Sequence, residues 1–257
     1  MTAAPRKDQL LQAADILLDA RRALQPIDDL PGDLQPASLE EAYFVQNQMA
    51  IAFGAIGGWK VGAPSPEATP LFAPLPLIWM AETDSILAGP RHRFRGLEGE
   101  IAFHIGHALP PRATPYTREE VTAAIGSCHP AIEVLETAIA DPMKCARFTQ
   151  VADLQIHGGF VYGPAVANWQ QLDFAQESVA ISVDGIVRVE GTGSNPAGTD
   201  LLRLLTWLAN AGATRTGGLK AGDWITTGSW TGYTLASAGS SAQVRFARAG
   251  SVAMRFA

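Results

Sequence analysis

The residues with chemistry to offer gather first in Gly96-Leu-Glu98-Gly-Glu100-Ile-Ala-Phe103-His104-Ile105. On a strand, successive side chains alternate faces, so positions 98, 100, 102 and 104 share one side, while Leu97, Ile101, Phe103 and Ile105 take the other. One face then reads Glu, Glu, Ala, His, and its reverse is apolar. Two carboxylates alone fit the solvated face of an antiparallel strand, because they repel unless water or a cation separates them. Glu133 shifts that balance. It stands in Pro130-Ala-Ile-Glu133-Val-Leu-Glu136, an apolar stretch where an exposed carboxylate is not expected. Three carboxylates, with water completing the shell, suit a hard divalent cation such as Mg²⁺ or Mn²⁺. His104 is then either a neighbour of that cation or a strand-face histidine with no role. Lys60, within Gly57-Gly58-Trp59-Lys60-Val61-Gly62, also has two readings. It is a surface lysine with its stem along apolar neighbours, or a partly desolvated ammonium that holds an anion or moves a proton.

Other chemistries lack their residues. Gly191-Thr-Gly193-Ser-Asn-Pro-Ala-Gly198 spaces its third glycine too far for a dinucleotide turn, and no phosphate-loop lysine motif is present. His157-Gly158-Gly159 imitates an oxyanion-hole loop, but no Gly-x-Ser-x-Gly nucleophile accompanies it. His92, His107, His129 and His157 show no metal-ligand spacing among themselves; His129, close before Glu133, is the one to watch. Cys128 and Cys145 form no Cys-x-x-Cys pattern and read as free thiols of a reducing compartment.

The elements that must position these groups follow from periodicity. Leu10, Leu11, Ala14, Leu17, Leu18 and Leu24 predict a helix over 7–25. Ser38-Leu-Glu-Glu41 has capping-box spacing and predicts a second helix to about Phe53, closed by Gly54. Short β-branched and aromatic runs then predict strands at Gly58–Val61, Glu98–Ile105, Ala131–Leu135, Phe160–Tyr162, Val179–Val183, Ile186–Glu190, Trp224–Thr227 and Ala242–Phe246. Asp184-Gly185 marks a hairpin. Helices are predicted at Arg118–Ser127 and Asp200–Gly212.

The chain has 257 residues, 47% hydrophobic and 17% charged, with net charge −6, which sets aside a disordered chain and a basic nucleic-acid footprint. Asp8, Asp15 and Asp19 interrupt any signal-peptide core, and no membrane span is predicted.

In chain order, Gly-Trp-Lys60-Val-Gly, Glu98-Gly-Glu100-Ile-Ala-Phe, Ala-Ile-Glu133, Val151-Ala-Asp153 and Gly158-Gly-Phe-Val-Tyr-Gly163 form one series. Trp207-Leu-Ala-Asn210 and Gly218-Leu-Lys-Ala-Gly222-Asp223-Trp-Ile-Thr-Thr-Gly228-Ser229 complete it. The series resembles the 2-keto-4-pentenoate hydratase and 4-oxalocrotonate decarboxylase branch of the fumarylacetoacetate hydrolase superfamily, over nearly the whole chain. That resemblance implies an α+β fold, a mixed β-sheet roll, with residues 1–57 as an N-terminal helical segment and 58–257 as the catalytic roll. It implies Glu98, Glu100 and Glu133 as ligands of Mg²⁺ or Mn²⁺, Lys60 as the active-site lysine, and a cytoplasmic homo-oligomer acting on a small 2-oxo acid. The implied reaction is hydration of a 2-hydroxy-2,4-dienoate in aromatic-compound catabolism. The alternatives are decarboxylation, C–C hydrolysis, or a relative that only binds a small acid. The chain departs from the pattern twice. Leu71–Trp79 carries no acid where hydratases of this branch have one, the nearest being Glu82 and Asp84, and Leu154 replaces the usual Asn after Ala-Asp.

Overall fold

Two helices precede the sheets in the computed structural model, which describes residues 4–88 and 91–257. Helix α1 (Ala4–Ala23) buries Leu10, Ala13, Ala14, Leu17 and Leu18 at helical spacing. Leu24 lies beyond its end, at φ 54. Helix α2 (Leu39–Phe53) starts at Ser38, whose hydroxyl accepts from Glu41 N at 3.2 Å. Only half of the expected capping box forms, because the Glu41 carboxylate turns to Ala37 N (2.8 Å) and to the guanidinium of Arg6. Gly54, at φ 88, takes the left-handed cap that a side chain would strain.

The chain continues through β1 (Ile56–Gly62), β2 (Leu71–Pro76), β3 (Met80–Glu82), β4 (Ser85–Leu87) and β5 (Gly96–Ile105). Helix α3 (Arg118–Ala124) leads directly into β6 (Ile125–Leu135), and helix α4 (Arg147–Ala152) reaches β7 (His157–Tyr162) through a tight turn over Leu154–Ile156. Strands β8 (Ser178–Val183) and β9 (Ile186–Thr192) form the hairpin that Asp184-Gly185 marks. After helix α5 (Leu201–Trp207) come a π-helical turn over Leu208–Gly212 and helix α6 (Ala213–Thr216). Strands β10 (Trp224–Thr226), β11 (Tyr233–Leu235), β12 (Ser241–Phe246) and β13 (Gly250–Phe256) close the described chain.

Eight strands form a mixed sheet in the order β2-β1-β10-β5-β6-β7-β3, with β11 also on β5; the other five form β4-β13-β12-β8-β9. β1 with β10, β3 with β7, and β13 with β4 are parallel pairs. Leu97, Ile101, Phe103 and Ile105 are fully buried on the apolar face of β5. The two sheets meet closely there: a Cβ on Gly99 would stand 2.9 Å from Val244 Cγ1, so glycine is required. One continuous apolar cluster runs from Leu10 and Leu17 through Ile101 and Phe103 to Val244 and Phe256. The fold is thus the expected mixed α+β arrangement of sheets behind a helical N-terminal segment. Among the described residues, no helix is long and apolar enough to cross a membrane. Cys128 and Cys145 are free thiols.

Some boundaries differ from those predicted. Helix α3 stops at Ala124, short of Ser127, because Ile125 turns extended (φ −74, ψ 123) and pairs with Ile105. The predicted Asp200–Gly212 helix loses its regularity at the π turn, where the Asn210 side chain exchanges hydrogen bonds with both backbone groups of Tyr116 (2.8 and 3.0 Å). β2, β3, β4, β11 and β13 were not expected. β3, β4 and β11 have three residues each, too few to show alternation. β2 contains Pro74 and Pro76 and lies at the sheet margin, where a missing backbone N–H is tolerated.

Candidate functional site

Strand pairing brings the acids together. Glu98 on β5 stands directly across from Glu133 on β6, and Glu100 is one same-face step along. Each of the three offers a carboxylate oxygen within 4.8 Å of the others. Glu100 and Glu133 are fully buried, and Glu98 is half-buried. Lys60 arrives from β1, two strands away, because β10 lies between β1 and β5 and pairs Thr226 with both Lys60 and Ala102. Its ammonium donates to Glu133 Oε1 at 2.7 Å and to the Gln155 carbonyl at 3.1 Å. The structure therefore unites all four residues singled out from the sequence.

Glu100 is held from the other side. Its Oε2 accepts from the Thr226 hydroxyl and from Gly228 N (3.1 Å). Gly228 belongs to Thr227–Gly232, the segment that separates β10 from β11 along β5. Trp230 N donates to the Gly99 carbonyl at 2.8 Å, and Asn195 Nδ2 donates to the carbonyls of Thr227 and Gly228 (2.9 and 3.1 Å). This interruption in the strand aims a backbone N–H at the acid.

His157 at the start of β7 joins the same cluster, with Nδ1 2.8 Å from Glu133 Oε1. Sequence reasoning set it aside with the His-Gly-Gly run; in the irregular β6–β7 pairing it stands beside Leu135, two residues along from Glu133, and no local sequence signal marks that offset. Before it come Leu154, Gln155 and Ile156, at φ 54, 49 and 58. Three successive side-chain-bearing residues in the left-handed region are strained, and this turn points the Gln155 carbonyl at Lys60. Asp153 has a structural role: it accepts from Arg21 Nε at 2.5 Å, from the Thr137 hydroxyl and from Ala138 N. His104 lies along the strand from the acids with its ring against Trp224, and His129 pairs with Ser127 (2.7 Å) and the Gly163 carbonyl. Ala73 of β2 is the cross-strand partner of Lys60, so the wall beside the lysine is apolar.

The electrostatics are unbalanced. Burial, reinforced by the charge of Glu133, pushes Glu98 up to about 7 despite Lys60. Burial and the charges of Glu133 and Glu98 push Glu100 well above the usual carboxylate range. Burial also acts against ionised Glu133, but the Lys60 charge and the His157 hydrogen bond outweigh it and hold this acid at about 2. Burial opposes the Lys60 charge, yet the surrounding carboxylates raise its affinity for its proton. One ammonium thus faces three carboxylates. Glu100 Oε1 and Glu133 Oε2 are buried without a hydrogen-bond partner among the described residues. Unpartnered buried carboxylate oxygens are costly, and a hard divalent cation is the group that this oxygen set fits.

A family model described as fumarylacetoacetate (FAA) hydrolase C-terminal matches residues 55–257. The chain is 28% identical over 234 residues to the 2-keto-4-pentenoate hydratase of Paraburkholderia xenovorans (strain LB400), covering 84% of this chain and 83% of that one. It is 33% identical over 142 residues to the 2-hydroxyhexa-2,4-dienoate hydratase of Comamonas testosteroni, covering 55% and 52%. Its fold matches the 4-oxalocrotonate decarboxylase from Pseudomonas putida G7, solved with magnesium and adipate, with a TM-score of 0.81 at 24% identity, over 100% of this chain and 99% of that one.

Proposed function

The chain belongs to the fumarylacetoacetate (FAA) hydrolase family, and on that premise we propose that it is a divalent-metal-dependent hydro-lyase adding water to a 2-hydroxy-2,4-dienoate. The observation that carries the reading is the convergence of Glu98, Glu100 and Glu133, two of them with buried unpartnered oxygens, beside Lys60. These three acids would hold Mg²⁺ or Mn²⁺, which would supply Lewis acidity towards the carboxylate and the C2 oxygen of such a substrate, a hydroxyl in the dienol and a 2-oxo group in its keto tautomer. Lys60 does the protein's own work. Held as an ammonium by Glu133 and the Gln155 carbonyl, it pairs with the substrate carboxylate or delivers a proton to the substrate carbon skeleton. Thr226 and Gly228 N fix Glu100, while Ala73 and Leu75, buried on the β2 face that Lys60 shares, make the lysine side apolar. In this reading residues 58–257 are the catalytic roll, and 1–57 brace it.

A second reading, a 2-oxo acid decarboxylase on the same site, is favoured by that apolar side. No acid stands on β2 across from Lys60 to activate water, and a desolvated carboxylate loses CO₂ more readily. Incubation with 2-hydroxypenta-2,4-dienoate and with 4-oxalocrotonate, each with and without Mg²⁺, separates the two. Water gained without CO₂ is the expected result, CO₂ release moves the protein to the second reading, and no turnover of either rejects both.

We also propose a homo-oligomer. Ile51, Leu77 and Ile78 are 72%, 53% and 64% exposed, large apolar side chains of the kind that a subunit contact covers. Light scattering at the mass of one chain would reject it.

A further inference from the structure

We propose that His157 is a positioning residue that commits Glu133 to a single ligand oxygen; this rests on the metal reading of the three acids. A glutamate carboxylate rotates readily about its last bond, and Lys60, on a flexible four-carbon stem, does not by itself choose between the two oxygens. His157 does. Its Nδ1 and the Lys60 ammonium converge on the same atom, Glu133 Oε1, at 2.8 and 2.7 Å. An ionised carboxylate only accepts, so Nδ1 carries the hydrogen and donates. With Oε1 occupied by two donors, Oε2 is left buried and unpartnered. Glu133 therefore binds a cation through one oxygen, Oε2.

The ring itself has no freedom. His157 is fully buried, its carbonyl accepts from Arg21 Nη1 at 2.9 Å, and its ring lies against Trp79 with centroids 5.9 Å apart. Its β7 position follows a register shift between Val134 and Leu135 that sets it beside Leu135. Arg21 also donates to the carbonyls of Glu136 and Asp153 (2.8 and 2.9 Å), so the strand ends carrying Glu133 and His157 are tied to one guanidinium. Outer hydrogen-bond partners of metal ligands typically change metal affinity by about 10–100-fold.

Mn²⁺ binding, followed by the electron paramagnetic resonance signal of the free ion, tests this without turnover. His157→Leu should weaken Mn²⁺ binding about tenfold or more. In His157→Asn the amide nitrogen branches from Cγ as Nδ1 does, so binding should stay within about threefold of the parent. Asn packs worse than Leu in an apolar site, so rescue by Asn separates hydrogen bonding from packing. Equal binding by His157→Leu and parent, or equal loss in both variants, overturns the proposal. A second readout needs neither His157 variant. The infrared difference spectrum of the Mn²⁺-loaded protein against Glu133→Gln should show the wide carboxylate splitting of one-oxygen coordination, and the narrow splitting of a two-oxygen ligand overturns the proposal even if neither variant folds. A parent that binds no Mn²⁺ overturns the metal reading and this inference together, whereas tight parental binding unaffected by His157→Leu overturns this inference alone.

Discussion

At the scale of single residues, the site is a contest between burial and pairing. Lys60 offsets one of three carboxylates, and two carboxylate oxygens stay without a partner. Removing both cross-strand ligands, with Glu98→Gln and Glu133→Gln together, should therefore lower Mn²⁺ affinity by about 100-fold or more, beyond the loss seen for outer partners. Titration of the free ion measures this, and unchanged affinity would reject the ligand set. Lys60→Ala should bind Mn²⁺ yet lose about 10²–10⁴-fold in turnover of the dienoate, the range for a lost proton-transfer group. Parental turnover would remove Lys60 from the reaction. Glu98 and Glu100 were legible from strand alternation, and Glu133 from its incongruity in an apolar run. His157 was not, because its meeting with Glu133 depends on the irregular pairing of β6 with β7. No local pattern encodes that offset.

At the scale of elements, β5 carries the site on one face and the core on the other, so its alternation was the most readable signal in the chain. β2 was unreadable for a physical reason: its prolines break the strand pattern, and only its marginal place in the sheet permits them. Helix α1 was legible from its apolar spacing, but the work of its last turn was not. Arg21 reaches the buried carboxylate of Asp153 and the carbonyls of Glu136, Asp153 and His157. Arg21→Ala leaves the Asp153 carboxyl group fully buried and without that partner. The expected cost is about 3–5 kcal/mol of unfolding free energy, measured by urea titration; a loss under about 1 kcal/mol, the value of an exposed pair, would show the clamp to be weak.

At the scale of the whole molecule, the apolar, sparsely charged composition became one continuous core spanning helices and both sheets. Composition had left open whether the chain forms one unit or two; long-range pairing, which composition does not encode, decides how the pieces join. One buried base gives the molecule an acid limit. His92 is 1% exposed, neither ring nitrogen has a partner among the described residues, and burial, helped by the charges of Arg91 and Arg95, pushes it down to about 4. The unfolded chain takes up a proton near 6.5 and the folded one only near 4, so this contribution is complete above 6.5 and is lost as the pH falls towards 4, about 3 kcal/mol in all. Glu98, raised to about 7, acts with the opposite sign, gaining stability as the pH falls below 7. The comparison must therefore be with His92→Leu: between pH 7 and 4 the variant should lose about 3 kcal/mol less than the parent, and parallel curves would contradict the assignment. The sheet margins have a consequence for handling the protein. Among the described residues, β3 and β4 end their sheets after three residues, and β2 is blocked by proline. β9 is the long margin with none of these guards, and it displays Ile186 and Val187, 58% and 52% exposed, beside Arg188 and Glu190. Heat-driven aggregation should begin by strand addition there, so Val187→Lys should keep the melting temperature and delay the onset of turbidity.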